Sequence, residues 1–256
     1  TILDLTDKRI NCISEDQHGN IWIGTFGKGL FILPNGKEVL VENVVKVPLK
    51  NGIEFHSVYD FCQINNKMFV ATEVGLLQVE VNSSLSDINL TVSNPENSKL
   101  PFYEIYSFAQ TNSTLWAMGE LGLIKLDKSQ NDLLSKLEFY PFEKKMDVYF
   151  LSSIVIDNEN TLWGVHDMGT YRFKDGKFDY NFYGTGYSKN KTNNVFCDKE
   201  GNVWIGTMNL GVFKYSSDKF IAYNTEAGML NNVVISVLED QNGNMWAATE
   251  KGISIY

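Results

Sequence analysis

Residues 198–215 read DKEGNVWIGTMNLGVFKY, and the same arrangement returns as DQHGNIWIGTFGKGLFIL at residues 16–33 and as DQNGNMWAATEKGISIY at residues 240–256. In each stretch a DxxGN turn is followed by an apolar run, and a glycine then opens a second apolar run. Short apolar runs separated by Asp-, Asn- and Gly-rich turns are typical of antiparallel strands. These residues therefore predict a repeated unit of short β-strands.

Looser copies fill the rest of the chain, at residues 64–79, 111–126 and 157–173. One aromatic residue anchors each copy, at intervals of 47, 47, 47, 41 and 42 residues: Trp22, Phe69, Trp116, Trp163, Trp204 and Trp246. After a further turn, a fourth run such as KFIAY from Lys219 completes the unit. Four short strands at this period predict the blade of a β-propeller. We therefore expect an all-β fold in which residues 1–256 form a single β-propeller domain of six four-stranded repeats.

The two chain ends bear on the number of blades. The last copy stops at Tyr256 after three strands, whereas the chain opens with an extra apolar segment, ILDL, at residues 2–5. This segment could supply the missing outer strand and close a six-bladed ring, which would cover an exposed sheet edge. The spacing alone also allows six blades of a seven-bladed or larger array.

Composition excludes several classes of protein. The 256 residues carry 22 basic and 31 acidic side chains, a net charge of -9, which argues against nucleic acid or an anionic membrane as the main partner. No apolar run reaches the roughly 18 residues of a membrane-spanning helix. The three cysteines, Cys12, Cys62 and Cys197, lie outside any CxxC spacing, so neither a disulfide framework nor a metal site or cofactor is expected. The N-terminal TILDLTDKRI lacks the apolar core of a signal peptide, which predicts a cytoplasmic chain or an excised segment.

The motif DxxGNxWxGTxxxGLxxY, with AGMLNN at residues 227–232, resembles the two-component regulator propeller repeat. Copies one, five and six match it closely, and the middle three lack part of the Asp, Gly or Trp pattern. That family forms the sensor half of hybrid two-component histidine kinases, especially in Bacteroidetes that use polysaccharides. The resemblance implies a periplasmic sensor propeller, without enzymatic activity, that recognises an oligosaccharide or relays its binding. It also implies further sensor domains and a kinase elsewhere in the parent protein, and a homodimeric parent.

Two repeated residue types could be mistaken for a site. The motif aspartates, Asp16, Asp157, Asp198 and Asp240, are predicted to accept turn amides rather than to bind metal or act as catalytic acids. The repeated tryptophans are predicted to pack between neighbouring blades rather than to stack on a ligand.

The candidate ligand residues fall on one face, which we call the front face. It carries the loops that lead into the first strand of each blade and the loops that join its second and third strands. The second group presents four carboxylates: Glu73, Glu120, Asp167 and Glu250. The first group presents aromatic, His and amide side chains: His56, Phe102, Tyr103, Tyr149 and Asn232. Aromatic rings with hydrogen-bonding groups suit a neutral, hydroxyl-rich oligosaccharide. The alternative is that the acids hold the turns and the aromatic rings cap the inner strands.

Two other functions remain open from the residues. Propeller lyases resemble this repeat loosely, and His56 and His166 on the front face could act as an acid and base pair. A propeller without its own ligand could instead serve structure or dimerisation, through the apolar outer runs near Val39 and Ile88.

Overall fold

The computed structural model describes residues 9–37, 45–47, 54–80, 89–143, 153–166, 169–180, 191–216 and 219–256. Within these ranges the chain forms antiparallel sheets and two short 3-10 helices, Leu133–Lys136 and Thr225–Ala227. Each sheet follows chain order, so that every strand pairs with the next one along the sequence. The fold is an all-β propeller with six blades, as the repeat predicts.

The first three blades are built from residues 9–141. Blade 1 contains β1 (Arg9–Glu15), β2 (Ile21–Phe26), β3 (Leu30–Leu33) and β4 (Val45–Lys46). Blade 2 contains β5 (Val58–Ile64), β6 (Lys67–Thr72), β7 (Gly75–Glu80) and β8 (Asn89–Ser93). Blade 3 contains β9 (Ile105–Gln110), β10 (Thr114–Gly119), β11 (Gly122–Asp127) and β12 (Leu137–Pro141).

The last three blades are built from residues 154–255. Blade 4 contains β13 (Ile154–Ile156), β14 (Leu162–His166), β15 (Gly169–Lys174) and β16 (Lys177–Asp179). Blade 5 contains β17 (Thr192–Cys197), β18 (Val203–Thr207), β19 (Val212–Ser216) and β20 (Lys219–Tyr223). Blade 6 contains β21 (Val234–Glu239), β22 (Met245–Thr249) and β23 (Gly252–Ile255). Blade 6 thus has three strands among the described residues, and residues 2–5, predicted to supply a fourth, lie outside them.

The Asp of the DxxGN turn accepts local hydrogen bonds that hold the turn. In blade 5 the Asp198 carboxylate accepts the backbone N–H of Glu200 at 3.1 Å and that of Asn202 at 2.7 Å. It also accepts the indole N–H of Trp204 at 2.7 Å. Blades 1, 4 and 6 repeat this bond from the anchor tryptophan to the motif aspartate. The prediction that these aspartates hold hairpins is confirmed, and the turn is tied to the first strand after it.

The Gly and Thr residues that follow the anchor tryptophan also have structural roles. The Thr207 hydroxyl donates to the carbonyl of Gly211 at 2.8 Å and so closes the loop between the second and third strands, as Thr25 does with Gly29. A Cβ on Gly206 would lie 2.9 Å from a methyl of Val234 in the next blade. The glycine therefore lets the first strand of the following blade approach closely.

The chain divides into two compact units, which we describe separately. Unit 1 comprises Thr1–Phe108, Asn112–Glu120 and Ile124–Phe139, and unit 2 comprises Ala109–Thr111, Leu121–Leu123 and Tyr140–Tyr256. In unit 1, Trp22 packs among Val58, Met68 and Val70 of blade 2. In unit 2, Trp163 packs among Val195, Val203 and Ile205 of blade 5, and Trp204 packs against blade 6. These three tryptophans pack between neighbouring blades, as predicted.

Polar side chains on the first strands join neighbouring blades. The pairing of β1, β5, β17 and β21 with their partners shifts by one residue near the strand start, which is the signature of a β-bulge. The bulged residues Asn11 and Asn193 donate their amides to the carbonyls of Val58 and Val234 in the following blades, at 3.0 and 2.8 Å. The bulge thus aims a side chain across the gap between two sheets.

Candidate functional site

The front loops of unit 1 bring His56 and Glu73 together. The Glu73 carboxylate accepts the backbone N–H of His56 and that of Ser57, and it lies 3.8 Å from Nδ1 of His56. The His56 side chain is 65% exposed, whereas that of Glu73 is 22% exposed. The carboxylate therefore braces the loop before β5 and presents only part of its surface, while the imidazole is open to a ligand.

A tyrosine pair lies beside this loop. The rings of Tyr59 in β5 and Tyr106 in β9 have centroids 5.4 Å apart, and the Tyr106 hydroxyl donates to the Glu104 carboxylate. Burial, then the negative charges of Glu104 and Glu73, raises the pKa of Tyr59 to about 12. Burial and the Glu104 bond raise the pKa of Tyr106. Both phenols consequently stay protonated near neutral pH.

The two adjacent aromatic candidates, Phe102 and Tyr103, differ in exposure to solvent. Tyr103 is 39% exposed, and its hydroxyl donates to Glu96 at 2.9 Å, a bond that raises the pKa of Tyr103. Phe102 is only 1% exposed, which corrects its prediction as a ligand residue. Its ring packs against Gly119, where any Cβ would overlap it, and within the core that contains Ile105. Phe55, in the loop before β5, is 3% exposed and is buried in the core that contains Trp22.

The other candidate ligand residues that the structure describes are Glu120, Glu250 and Asn232. In unit 1, Glu120 is half-buried, and its backbone N–H donates to the Glu104 carbonyl at 3.2 Å. In unit 2, Glu250 is exposed, and its backbone N–H donates to the Val233 carbonyl. Asn232 accepts the Thr225 N–H at 2.8 Å and thereby holds the loop before β21.

Two candidates, Tyr149 and Asp167, lie outside the described residues, as does the side chain of His166. The paired-histidine hypothesis for a lyase therefore stays a prediction. Likewise, none of the ligand roles assigned to the exposed front residues is tested by the geometry.

The outer strand of blade 2 differs from its predicted role as an apolar contact edge. Leu90 and Val92 in β8 are buried in the core that includes Trp22 and Leu77. The apolar side of this strand is therefore covered by its own unit. Most of the run near Val39 lies outside the described residues, and Val47 at its end is 1% exposed.

Sequence reasoning missed Tyr59, Tyr106 and Glu104. The two tyrosines lie within runs that alternate like ordinary strands, so the pattern places them in the core. Their pairing is a tertiary feature: the register of β5 shifts between Val58 and Asp60, and the Tyr59 ring lies against Tyr106 of the next blade. Only the acidic character of Glu104, next to a predicted strand, offered a signal.

Other site classes have less support in the described parts of the chain. These parts contain no group of three or more His, Cys, Asp or Glu side chains arranged to hold a metal ion. They also contain no helix with the length and apolar character needed to cross a membrane.

The two-component regulator propeller family matches residues 4–27, 186–209 and 228–251. Each matched segment contains the first strand of a blade, the DxxGN turn and the second strand. These three segments are similar to two-component regulator propeller repeats. They are the first, fifth and sixth copies, which the sequence pattern also ranks as the closest to the motif. No curated protein shows a significant match to the chain.

Solved structures share the fold at low identity. The extracellular domain of the putative hybrid two-component system BT4673 from B. thetaiotaomicron has 19% identity and a TM-score of 0.65, with 99% of this chain and 39% of that chain covered. A Staphylococcus aureus virginiamycin B lyase, solved with quinupristin, has 11% identity and a TM-score of 0.72, with 100% and 86% covered. PorZ, a surface component of the Porphyromonas gingivalis type-IX secretion system, has 16% identity and a TM-score of 0.67, with 97% and 38% covered. The chain thus spans about two fifths of the BT4673 domain.

Proposed function

We propose that this chain is an extracytoplasmic sensor propeller of a two-component system, which recognises an oligosaccharide on its front loops. In this proposal the histidine kinase and further sensor domains belong to the same parent protein, outside residues 1–256. The parent acts as a dimer, and the propeller itself performs no chemistry.

The observation that carries the proposal is the two-component regulator propeller repeat in three blades, at residues 4–27, 186–209 and 228–251. The similarity of the whole chain to an extracellular domain of a hybrid two-component system supports the same assignment. Because the chain covers only 39% of that domain, a multidomain parent fits the comparison.

The exposed front residues support an uncharged, hydroxyl-rich ligand. The Tyr103 ring offers a partly exposed apolar face, and the exposed imidazole of His56 can donate or accept a hydrogen bond. In the same unit, the half-buried Glu120 carboxylate can accept hydrogen bonds from sugar hydroxyls. A phosphorylated or sulfated ligand fits less well, because the carboxylates would repel it.

Signal transfer places a thermodynamic requirement on this ligand. A ligand shifts an equilibrium between two arrangements of the parent protein only if it binds one of them more tightly. Within the proposal, the front residues therefore supply affinity that differs between the signalling states of the parent.

The test is calorimetric titration of the purified chain with cellotriose, xylotriose, maltotriose, mannotriose and 1-kestose. We expect saturable binding of at least one sugar, with a rise in melting temperature because the ligand binds the folded state. Tyr103→Ala should weaken this binding by about tenfold, equivalent to roughly 1.4 kcal/mol. Tyr256→Ala is the matched control, because Tyr256 is also 39% exposed but follows β23 at the back end of blade 6.

Two results would contradict the proposal. A cooperatively melting chain that binds none of these sugars would instead support a structural or dimerisation propeller. Turnover of quinupristin in the presence of Mg²⁺, measured by mass spectrometry, would support a lyase.

A further inference from the structure

A cavity of about 590 Å³ lies between the back turns of blades 4 and 5, entirely within unit 2. Its walls are the turn at residues 157–161, the hairpin of β15 and β16, and the turn at residues 200–202. These turns lie at the strand ends opposite the front loops. The volume falls within the range of about 300–1,000 Å³ that small-molecule sites occupy.

The floor of the cavity is held rigidly. The indole N–H of Trp163 donates to Asp157 at 2.7 Å, which fixes the plane of the ring. The Tyr215 ring from blade 5 lies against it, with centroids 4.8 Å apart. Trp163 is 1% exposed, so the indole supports the Tyr215 ring, which is partly exposed and lines the cavity, as the Phe178 ring also does.

The polar wall is also set in position before any ligand binds. The Arg172 guanidinium lies over the Trp163 ring, donates to Asp179 at 2.8 Å and donates to the Tyr215 hydroxyl at 3.4 Å. A guanidinium held in this way keeps a fixed orientation with several N–H donors. Preorganised donors bind with a smaller loss of side-chain entropy.

The repeat does not require the pair formed by Arg172 and Asp179, because other blades carry different residues at these positions. Arg172 pairs across the sheet with the anchor Trp163 on one side and with Asp179 on the other. In blades 1, 2 and 5 the corresponding cross-strand pairs are Ile32 with Val45, Gln78 with Thr91, and Lys214 with Ile221. Blade packing is therefore achieved elsewhere without an Arg and Asp pair.

The turns of blades 4 and 5 meet closely at the cavity rim. A Cβ on Gly201 would lie 2.6 Å from Nδ2 of Asn158. The Asn158 amide is thus packed over the Gly201 backbone, and it lines the cavity together with Asn202, whose Nδ2 donates to Asp198 at 2.8 Å. Amides offer both hydrogen-bond donors and acceptors.

The charges in the cavity nearly balance. Three basic side chains line it, Arg172, Lys174 and Lys177, together with four acidic ones, Asp157, Glu159, Asp179 and Glu200. Lys174 also pairs with Glu159 at 3.3 Å. A balanced set of this kind disfavours a strongly charged ligand and suits hydroxyl groups, which both donate and accept.

We infer that this cavity is a second sugar-binding site, which takes a short uncharged oligosaccharide through Arg172, Asp179 and the aromatic face of Tyr215. This inference rests on the proposed oligosaccharide recognition but places a site on the back side of blades 4 and 5. Sugar hydroxyls bind the fixed guanidinium, carboxylate and amides, while an apolar face of a sugar ring lies on the Tyr215 ring.

The test is an NMR titration of the full chain with the same five sugars, followed through backbone amide and indole N–H signals. We expect the indole signal of Trp163 and the amide signals of residues 158–161 and 200–202 to shift saturably. Arg172→Met should weaken the affinity derived from these signals about tenfold. Tyr215→Phe keeps the aromatic face but removes the hydroxyl that fixes the guanidinium, so it should weaken the affinity only several-fold. Lys177→Ser should weaken it measurably, whereas the control Lys219→Ser should not.

The lysine pair is matched by its position in the repeat. Lys177 and Lys219 each begin the fourth strand of a blade and pair with the last residue of the third strand, but only Lys177 lines the cavity. If Arg172→Met does not fold, Tyr215→Phe and Lys177→Ser still decide the result. Shifts confined to signals of the front loops at residues 54–57 and 101–104 would overturn this inference and leave the proposed function standing. Absence of shifts with every sugar would overturn both.

Discussion

Asp198 shows how one side chain organises a blade. Burial opposes ionisation of this carboxyl, but hydrogen bonds from Trp204 and Asn202 more than offset that effect and lower its pKa. The charged carboxylate accepts hydrogen bonds from Glu200, Asn202 and Trp204. The motif aspartate is therefore a structural residue, and its repetition reflects the number of turns rather than chemistry.

We predict that Asp198→Asn destabilises the chain by about 1–3 kcal/mol, because an amide N–H₂ would face the donors of Trp204 and Asn202. Urea unfolding at neutral pH measures the change. Asp175→Asn is the control: Asp175 is exposed, has a φ of 52° and belongs to a turn that Asn tolerates equally well. Its effect should stay within about 0.5 kcal/mol. Equal effects of the two substitutions would contradict the assigned role of Asp198.

The prediction that Phe102 is a ligand residue failed because of a single packing contact. Phe102 and Tyr103 are adjacent in the sequence and equally apolar in pattern, yet one is buried and the other exposed. The difference arises because Gly119 leaves room for the Phe102 ring, and no local rule links residues this far apart. The exposed Tyr103 and His56 were predictable from their place in a loop before a strand.

At the scale of elements, the first strands of blades 2 and 3 are joined through Asp60. Its carboxylate accepts the Phe108 backbone N–H at 2.8 Å and the Ser107 hydroxyl at 3.1 Å, both in β9. In unit 2, Ser153 and Asn194 accept the corresponding backbone N–H groups of Val195 and Val237. Of these three acceptors, Asp60 is the one with a carboxyl group. Burial raises its pKa to about 6, even though the three hydrogen bonds it accepts oppose this rise.

We predict that the stability of the chain falls relative to Asp60→Asn as pH rises from about 4 to about 6. In the unfolded chain the carboxyl ionises near pH 4, whereas the folded chain holds its proton until about pH 6. The unfolded state therefore gains stability relative to the folded state across this interval, on the order of 2 kcal/mol. Above it, the difference in unfolding free energy between the chain and Asp60→Asn is constant. Urea unfolding of both proteins at several pH values gives the measurement.

One result would contradict this prediction for Asp60. A difference in unfolding free energy between the two proteins that does not change from pH 4 to pH 7 would mean that Asp60 ionises normally in the folded chain. The pKa of Asp240 is lowered to about 2 by bonds from Asn244 and Trp246, so its contribution is lost only at more acidic pH. Subtracting the Asp60→Asn curve removes this common background.

At the scale of the whole molecule, the net charge of -9 dominates the electrostatics. Like charges distributed over a folded chain repel one another, and salt screens this repulsion. Surface ion pairs such as Lys125 with Glu138, at 3.2 Å, act in the opposite direction, but each contributes little. The excess of acidic groups should therefore determine the response to salt.

We predict that the melting temperature rises by a few degrees when NaCl increases from about 10 mM to about 150 mM, over which the Debye length falls from roughly 30 to 8 Å. Differential scanning calorimetry measures this change. KCl should give the same rise, because screening does not depend on the identity of a monovalent cation. A fall in melting temperature would show that ion pairs outweigh the general repulsion.

By itself, the sequence determined the blade: its strands, its DxxGN turns, its period and its family resemblance all follow from residues close together in the chain. Hairpins and turns depend on local hydrogen bonds, so a repeated local pattern is enough to predict them. Tertiary structure alone decided that Phe102 is buried, that Tyr59 lies beside Tyr106, and that Arg172 lines a cavity with Tyr215. These relations join residues of different strands or blades, and they depend on how neighbouring sheets pack rather than on the order of residues within one repeat.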